Sequence, residues 1–223
     1  MSSRISKIAR KSVVIVADKD DSDAYCSGCV MIKDTSVRVI APLGFVKGRE
    51  RRLKVVFFDK TEFDAELVAV RDSFCLLRTV FHSGCEKISL FEDEHLVGPL
   101  CTFMFVPQSR MTNQKMSTYA TVESLESYLK VETIQRVNST NYFMVSCPYF
   151  GKTLSGINRL SAAPVFTILG KTMGIVLQDC RPEVPGAEMK VVLKATYLRE
   201  LMMSLDPPAP SRNLRKKRKR KCH

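Results

Sequence analysis

Apolar and polar positions along this chain fall into short runs rich in Val, Ile, Phe and Tyr. Six runs follow one another in the first part of the chain, at 12–18, 24–32, 37–41, 53–58, 63–70 and 74–80. Turn-forming residues separate them. Lys33, Asp34 and Thr35 end the second run, Pro42 and Gly44 end the third, and Asp59, Lys60 and Thr61 divide the fourth from the fifth. Runs of this length with turn signals at this spacing predict the strands of an all-β barrel or sandwich. A second series follows at 100–106, 117–122, 132–137, 142–147, 164–169, 172–178 and 188–195, with Gly170 and Lys171 turning one hairpin. The period then changes. Leu198, Leu201, Met202 and Leu205 form a stripe with helical spacing, which predicts a short amphipathic helix over 196–205. Pro207, Pro208 and Pro210 end it.

This pattern divides the chain into a basic arm (1–11), a β-rich body (12–205) and a Pro-rich hinge with a basic tail (206–223). Within the body, the first strand set covers about 12–84 and the second about 100–195. A linker at about 85–99 carries Glu86, Glu92, Asp93 and Glu94.

Charge refines this picture. The formal net charge is +12. Arg4, Lys7, Arg10 and Lys11 supply four positive charges, and eight more lie between Arg212 and Lys221, so the body between them is neutral. Basic tails on a neutral domain argue against a fold with a basic nucleic-acid face. Lys216, Lys217, Arg218, Lys219, Arg220 and Lys221 match a short nuclear-localisation cluster, which an import receptor would read. Phosphate contact with nucleic acid is the next reading, without base recognition, because no aromatic residues interleave the charges. The expected location is nuclear or nucleo-cytoplasmic. An organellar presequence in residues 1–11 is the alternative. No apolar run reaches the roughly 18 residues of a membrane span, and no secretory signal core is present, so no membrane partner is expected.

The cysteines lie at 26, 29, 75, 85, 101, 147, 180 and 222. Without a secretory signal they read as free thiols, several of them inside apolar runs. Cys26 and Cys29 form a lone CxxC with no second ligand pair, so no metal and no cofactor are expected.

The segment from Arg159 to Val176 is more specific. Ser161, Pro164, Val165, Phe166, Gly170, Lys171, Gly174 and Ile175 resemble the nucleophile segment of trypsin-like serine proteases, especially the Do-like (HtrA-type) branch: G-N-S-G-G-P, an apolar strand, a Gly turn and V-x-G-I. Upstream, residues 27–32 resemble the G-S-G-F-V-I strand, 38–46 the strand and turn that carry the catalytic His, and 73–77 the D-L-A-L-L strand that carries the catalytic Asp. Divergent plant trypsin-like domains look similar. The resemblance implies two six-stranded antiparallel barrels, here followed by the short C-terminal helix; the family's regulatory PDZ module is not expected, since the chain ends soon after that helix.

Carried over residue by residue, the resemblance puts the nucleophile at Ser161, the base at Gly44 and the acid at Ser73. Arg159 and Leu160 stand in the oxyanion turn, where a Gly is expected two residues before the nucleophile. A serine hydroxyl needs a positioned base and an orienting group. No histidine precedes His82 in this sequence; the others are His95 and His223. The expectation is therefore a pseudoprotease that is not an enzyme and that binds a protein or an extended peptide in the cleft between the barrels. The alternative is a weakly active serine endopeptidase in which His82, His95 or a lysine such as Lys152 or Lys171 serves Ser161 as a non-standard base.

Overall fold

The uninterrupted apolar run Val13–Ala17 has no polar alternate residue, so a strand built from it must be covered on both faces. In the computed structural model it is. The structure describes residues 10–91, 101–109, 114–123, 141–146, 161–167, 169–180 and 189–205. β1 (Val13–Asp18) is buried along its whole length. Val14 and Val16 belong to the core inside the first sheet, while Ile15 and Ala17 pack with Tyr25 and Val56 on the opposite face.

β1 pairs antiparallel with β2 (Tyr25–Lys33) and with β4 (Leu53–Val56). β3 (Ser36–Pro42) joins β2 to β7 (Phe74–Val80). β5 (Glu62–Asp64) pairs with β4, and β6 (Glu66–Arg71) pairs with β7. Between β3 and β4 the chain makes one four-residue helical turn, α1 (Leu43–Val46).

The hydrogen-bonded order is β5-β4-β1-β2-β3-β7-β6, a seven-stranded sheet. The expectation of two six-stranded barrels therefore needs correction for the first half. The run at 63–70 is broken in two at Ala65. Ala65 donates its N–H to the Leu53 carbonyl, and the Asp64 carbonyl takes the Thr79 hydroxyl. The two edge strands are thus consecutive in the chain, and the sheet is joined at that seam by the covalent backbone. The run at 53–58 also ends early. Phe57 N–H bonds to the Thr61 carbonyl and Lys60 N–H to the Phe57 carbonyl, which closes a tight turn with Lys60 at a φ of 71°.

The second half is a closed barrel in the order β10-β13-β12-β11-β8-β9. Its strands are β8 (Cys101–Ser109), β9 (Gln114–Glu123), β10 (Tyr142–Ser146), β11 (Pro164–Phe166), β12 (Thr172–Cys180) and β13 (Met189–Lys194). The expected strand at 132–137 lies outside the described residues. α2 (Ala195–Leu205) buries the stripe of Leu198, Leu201, Met202 and Leu205.

One apolar cluster serves both halves. Cys29, Ile40, Phe74 and Leu76 from the first sheet pack with Ala162, Ile175, Leu193, Leu198 and Leu201. The chain crosses between the halves as a strap after β7. Ile88 donates its N–H to the Val30 carbonyl, Thr172 to the Ser89 carbonyl, and Phe91 to the Thr172 carbonyl.

Candidate functional site

Pro42 ends β3, since it can donate no ladder bond, and the chain turns into α1. Gly44 lies in that turn and is exposed; a Cβ at this position would meet nothing within 4 Å. Its neighbour Leu43 donates its N–H to the Ser73 carbonyl at 2.9 Å, so the base and acid positions of the family motif are held side by side. Phe45 turns away from this region into the first core. Arg49 fixes α1 from behind. It donates to the Phe45 carbonyl at 2.9 Å, lies over the Phe45 ring at 5.0 Å, and pairs with the buried carboxylate of Asp18 at 3.3 Å.

Ser73 stands just before β7 and just after Asp72, which takes a φ of 53°. Asp72 is exposed. Burial, then Tyr197, then the Asp72 carboxylate push the Tyr142 hydroxyl above its ordinary range.

Ser161 stands just before β11, where its hydroxyl donates to the Leu177 carbonyl at 3.0 Å. Ala162 donates its N–H to the Val176 carbonyl, and Val176 donates to the Ala163 carbonyl. Ala162 has a φ of 64° and is fully buried in the shared cluster, together with Ile40 of β3 and Phe74 of β7. Residues from the three motif segments thus share one apolar cluster.

The left-handed conformation at Ala162 is the one a Gly would take without strain, and alanine pays about 1–2 kcal/mol to hold it. The buried methyl returns about 0.8 kcal/mol, and a Gly would cost about 0.5–1 kcal/mol in chain entropy. These terms nearly cancel, so alanine holds this turn at little net cost.

Of the alternative bases, His82 is bound elsewhere. It follows β7 and is buried, with Nε2 at 2.9 Å from Asp59 and 3.2 Å from Thr61, and Nδ1 at 3.0 Å from the Cys85 N–H. Lys171 donates to the Ser89 hydroxyl at 2.8 Å. His95, Lys152, Arg159, Leu160 and the cluster from Lys216 to Lys221 lie outside the described residues.

Cys26 and Cys29 sit on opposite faces of β2, one in the first core and the other in the shared cluster, as an odd spacing on a strand requires. They cannot hold one ion between them. Burial pushes both thiols up, and Cys75 to about 12, which removes their nucleophilic form at neutral pH.

A feature that the residue pattern alone did not reveal lies beside Ser161. β13 pairs with β12 as far as Cys180, through Gln178↔Val191 and Asp179↔Lys190. On its other side β12 meets β11 only from Thr172 to Ile175, and residues 161–163 then cover Val176 and Leu177. Beyond Leu177 that edge has no strand partner among the described residues.

No protein-family model matches this chain, and no curated protein matches its sequence. Solved structures match its fold. Rv3671c from M. tuberculosis, crystallised as a serine-to-alanine mutant in its inactive form, gives a TM-score of 0.67 at 15% identity, covering 94% of this chain and 93% of that one. A second crystal structure, of the Rv3671c protease in an inactive form, gives 0.63 at 14% identity, covering 92% of this chain and 96% of that one. The fold is trypsin-like. This likeness corrects the expectation of a chain that is not an enzyme. The structures it resembles belong to a protein described as a protease, and nothing in the comparison marks this chain as inactive.

Proposed function

We propose that this trypsin-like domain, of the Do-like type, binds an extended peptide or protein segment as an added strand along the β12 edge beyond Leu177, running past Ser161. That edge, which has no strand partner among the described residues, carries the reading. A strand edge presents N–H and C=O groups that a second extended chain satisfies at little geometric cost. Leu43 ties α1 to Ser73, and Gly44 leaves α1 without a side chain at the position where the sequence resemblance puts the base.

The test is fluorescence anisotropy with labelled extended peptides, each compared with a version N-methylated at alternate residues. Two lost main-chain bonds at about 0.5–1.5 kcal/mol each predict weakening of roughly 5- to 150-fold. Equal affinity of the parent and N-methylated peptides would sink the proposal.

A second reading is favoured by the trypsin-like fold and by Ser161 at the head of β11: a weakly active serine endopeptidase that cuts the bound strand. Ser161 must then exchange its bond to the Leu177 carbonyl for one to a proton acceptor. Fluorophosphonate labelling that disappears in Ser161→Ala would support this reading, and its absence from the wild type would count against it.

The cluster from Lys216 to Lys221 is proposed separately as a nuclear import signal. A tandem fluorescent fusion lacking residues 212–223 is expected to lose nuclear accumulation. Unchanged accumulation would overturn the proposal.

A further inference from the structure

The proton on His82 can be placed from its partners. A backbone N–H only donates, and Cys85 N–H points at Nδ1 from 3.0 Å. Nδ1 therefore presents its lone pair, and the single proton of the neutral ring sits on Nε2, where it is donated to Asp59 at 2.9 Å. The ring is buried and stacked flat on Phe57, with centroids 4.3 Å apart and an interplanar angle of 4°, so it has little freedom to turn. Its two nitrogens respond oppositely to acid. A second proton must go on Nδ1, where it meets the Cys85 N–H donor to donor, and that bond is lost. The Asp59 carboxylate on the other side favours the charged ring.

The geometry points to His82 as a proton-operated latch: neutral, it holds the 82–85 turn through Cys85 N–H; charged, it stays with Asp59 and lets the turn go. The strap lies directly downstream. Residues 86–91 bind Lys11, just before β1, and Val30 of β2, and grip Thr172, the first residue of β12. Release of the turn thus loosens the tie between the first sheet and β12. The latch does not depend on what the β12 edge binds.

The other charged and titratable groups around the ring are few. From β2, Lys33 donates to the Ser83 and Cys85 carbonyls at 2.7 Å each and opposes release of the turn. The Cys85 thiol donates to the His82 carbonyl, and burial pushes it up, so it stays neutral. Glu86 is paired with Lys11. Burial of Asp59 works to raise its carboxyl, but hydrogen bonds from Thr61 and then from His82 outweigh this and hold it below the ordinary carboxylate value. The stabilisation tied to Asp59 is therefore present above its unfolded value, about 3.9, and is lost only as pH falls through the lower folded one.

The test is NMR on the full chain, following the His82 ring nitrogens and the Cys85 amide from pH 8 to pH 4.5. Nδ1 is expected to change from lone-pair to protonated nitrogen. Over the same range the Cys85 protection factor should fall by up to about ten-fold per pH unit, the limit for one linked proton. Asp59→Asn, at an exposed site, is expected to move the midpoint to lower pH, and His82→Gln to abolish the pH dependence. A ring that stays neutral throughout, a charged ring with Cys85 protection unchanged, or an Asp59→Asn midpoint equal to the wild type would each overturn the latch.

Discussion

Gly174→Ala is expected to lower the stability of the protein by about 3–5 kcal/mol, more than other single-methyl additions in its sheets. Gly174 lies in β12 opposite Lys194 of β13 and Val165 of β11. A Cβ there would stand 2.1 Å from the Leu193 carbonyl oxygen, 2.8 Å from a Val192 methyl and 3.0 Å from the Leu193 carbonyl carbon. Two of these three atoms are backbone and cannot rotate aside. The β12–β13 ladder must separate, and it holds both the Ser161 carbonyl partner and the edge beyond Leu177. Gly28 is the control. There the nearest atoms are methyls of Val39 and Val16 at 2.8 and 2.9 Å, with the Ile40 carbonyl at 3.1 Å. Small adjustments relieve most of that crowding, so Gly28→Ala should cost less, about 1–3 kcal/mol. Urea titration of both variants decides it. Gly174→Ala as stable as the wild type, or more stable than Gly28→Ala, would refute the argument.

Phe74→Ala should cost about 3–5 kcal/mol, the usual range for a buried aromatic ring. Its ring is 2% exposed and lies in the cluster that both halves share. The position matters as much as the size. Phe74 follows Ser73, whose carbonyl holds α1, and it packs in one cluster with Ala162, the residue after Ser161. The loss should therefore reach both halves. Amide exchange is expected to quicken in β3 and in β12 together, because neither half closes this cluster alone. Exchange that quickens in β3 and β7 while β12 keeps its full protection would show that the halves have separate cores.

Much of the framework was legible from the residues because strand alternation and helical stripes are local properties of the backbone. The run at 74–80 and the stripe from Leu198 to Leu205 needed only the period of the side chains. The opposite faces of Cys26 and Cys29 follow from parity alone. The break of the run at 63–70 was not legible. Nothing in the composition of Phe63–Val70 marks Ala65 as a seam; what marks it is the Leu53 carbonyl that takes its N–H.

At the candidate site the same division holds. The residue types at Gly44, Ser73 and Ser161, and the lack of any histidine before His82, are properties of the sequence alone. Only the tertiary structure decided that Leu43 N–H would tie the first two positions together, and that the Ser161 hydroxyl would spend its proton on the Leu177 carbonyl. It also decided that His82 would be committed to Asp59 and Cys85. The reason is physical. A side chain's donors and acceptors are set by its chemistry, but their partners are set by packing, which brings residues such as Leu43 and Ser73, thirty positions apart, together at the ends of neighbouring strands.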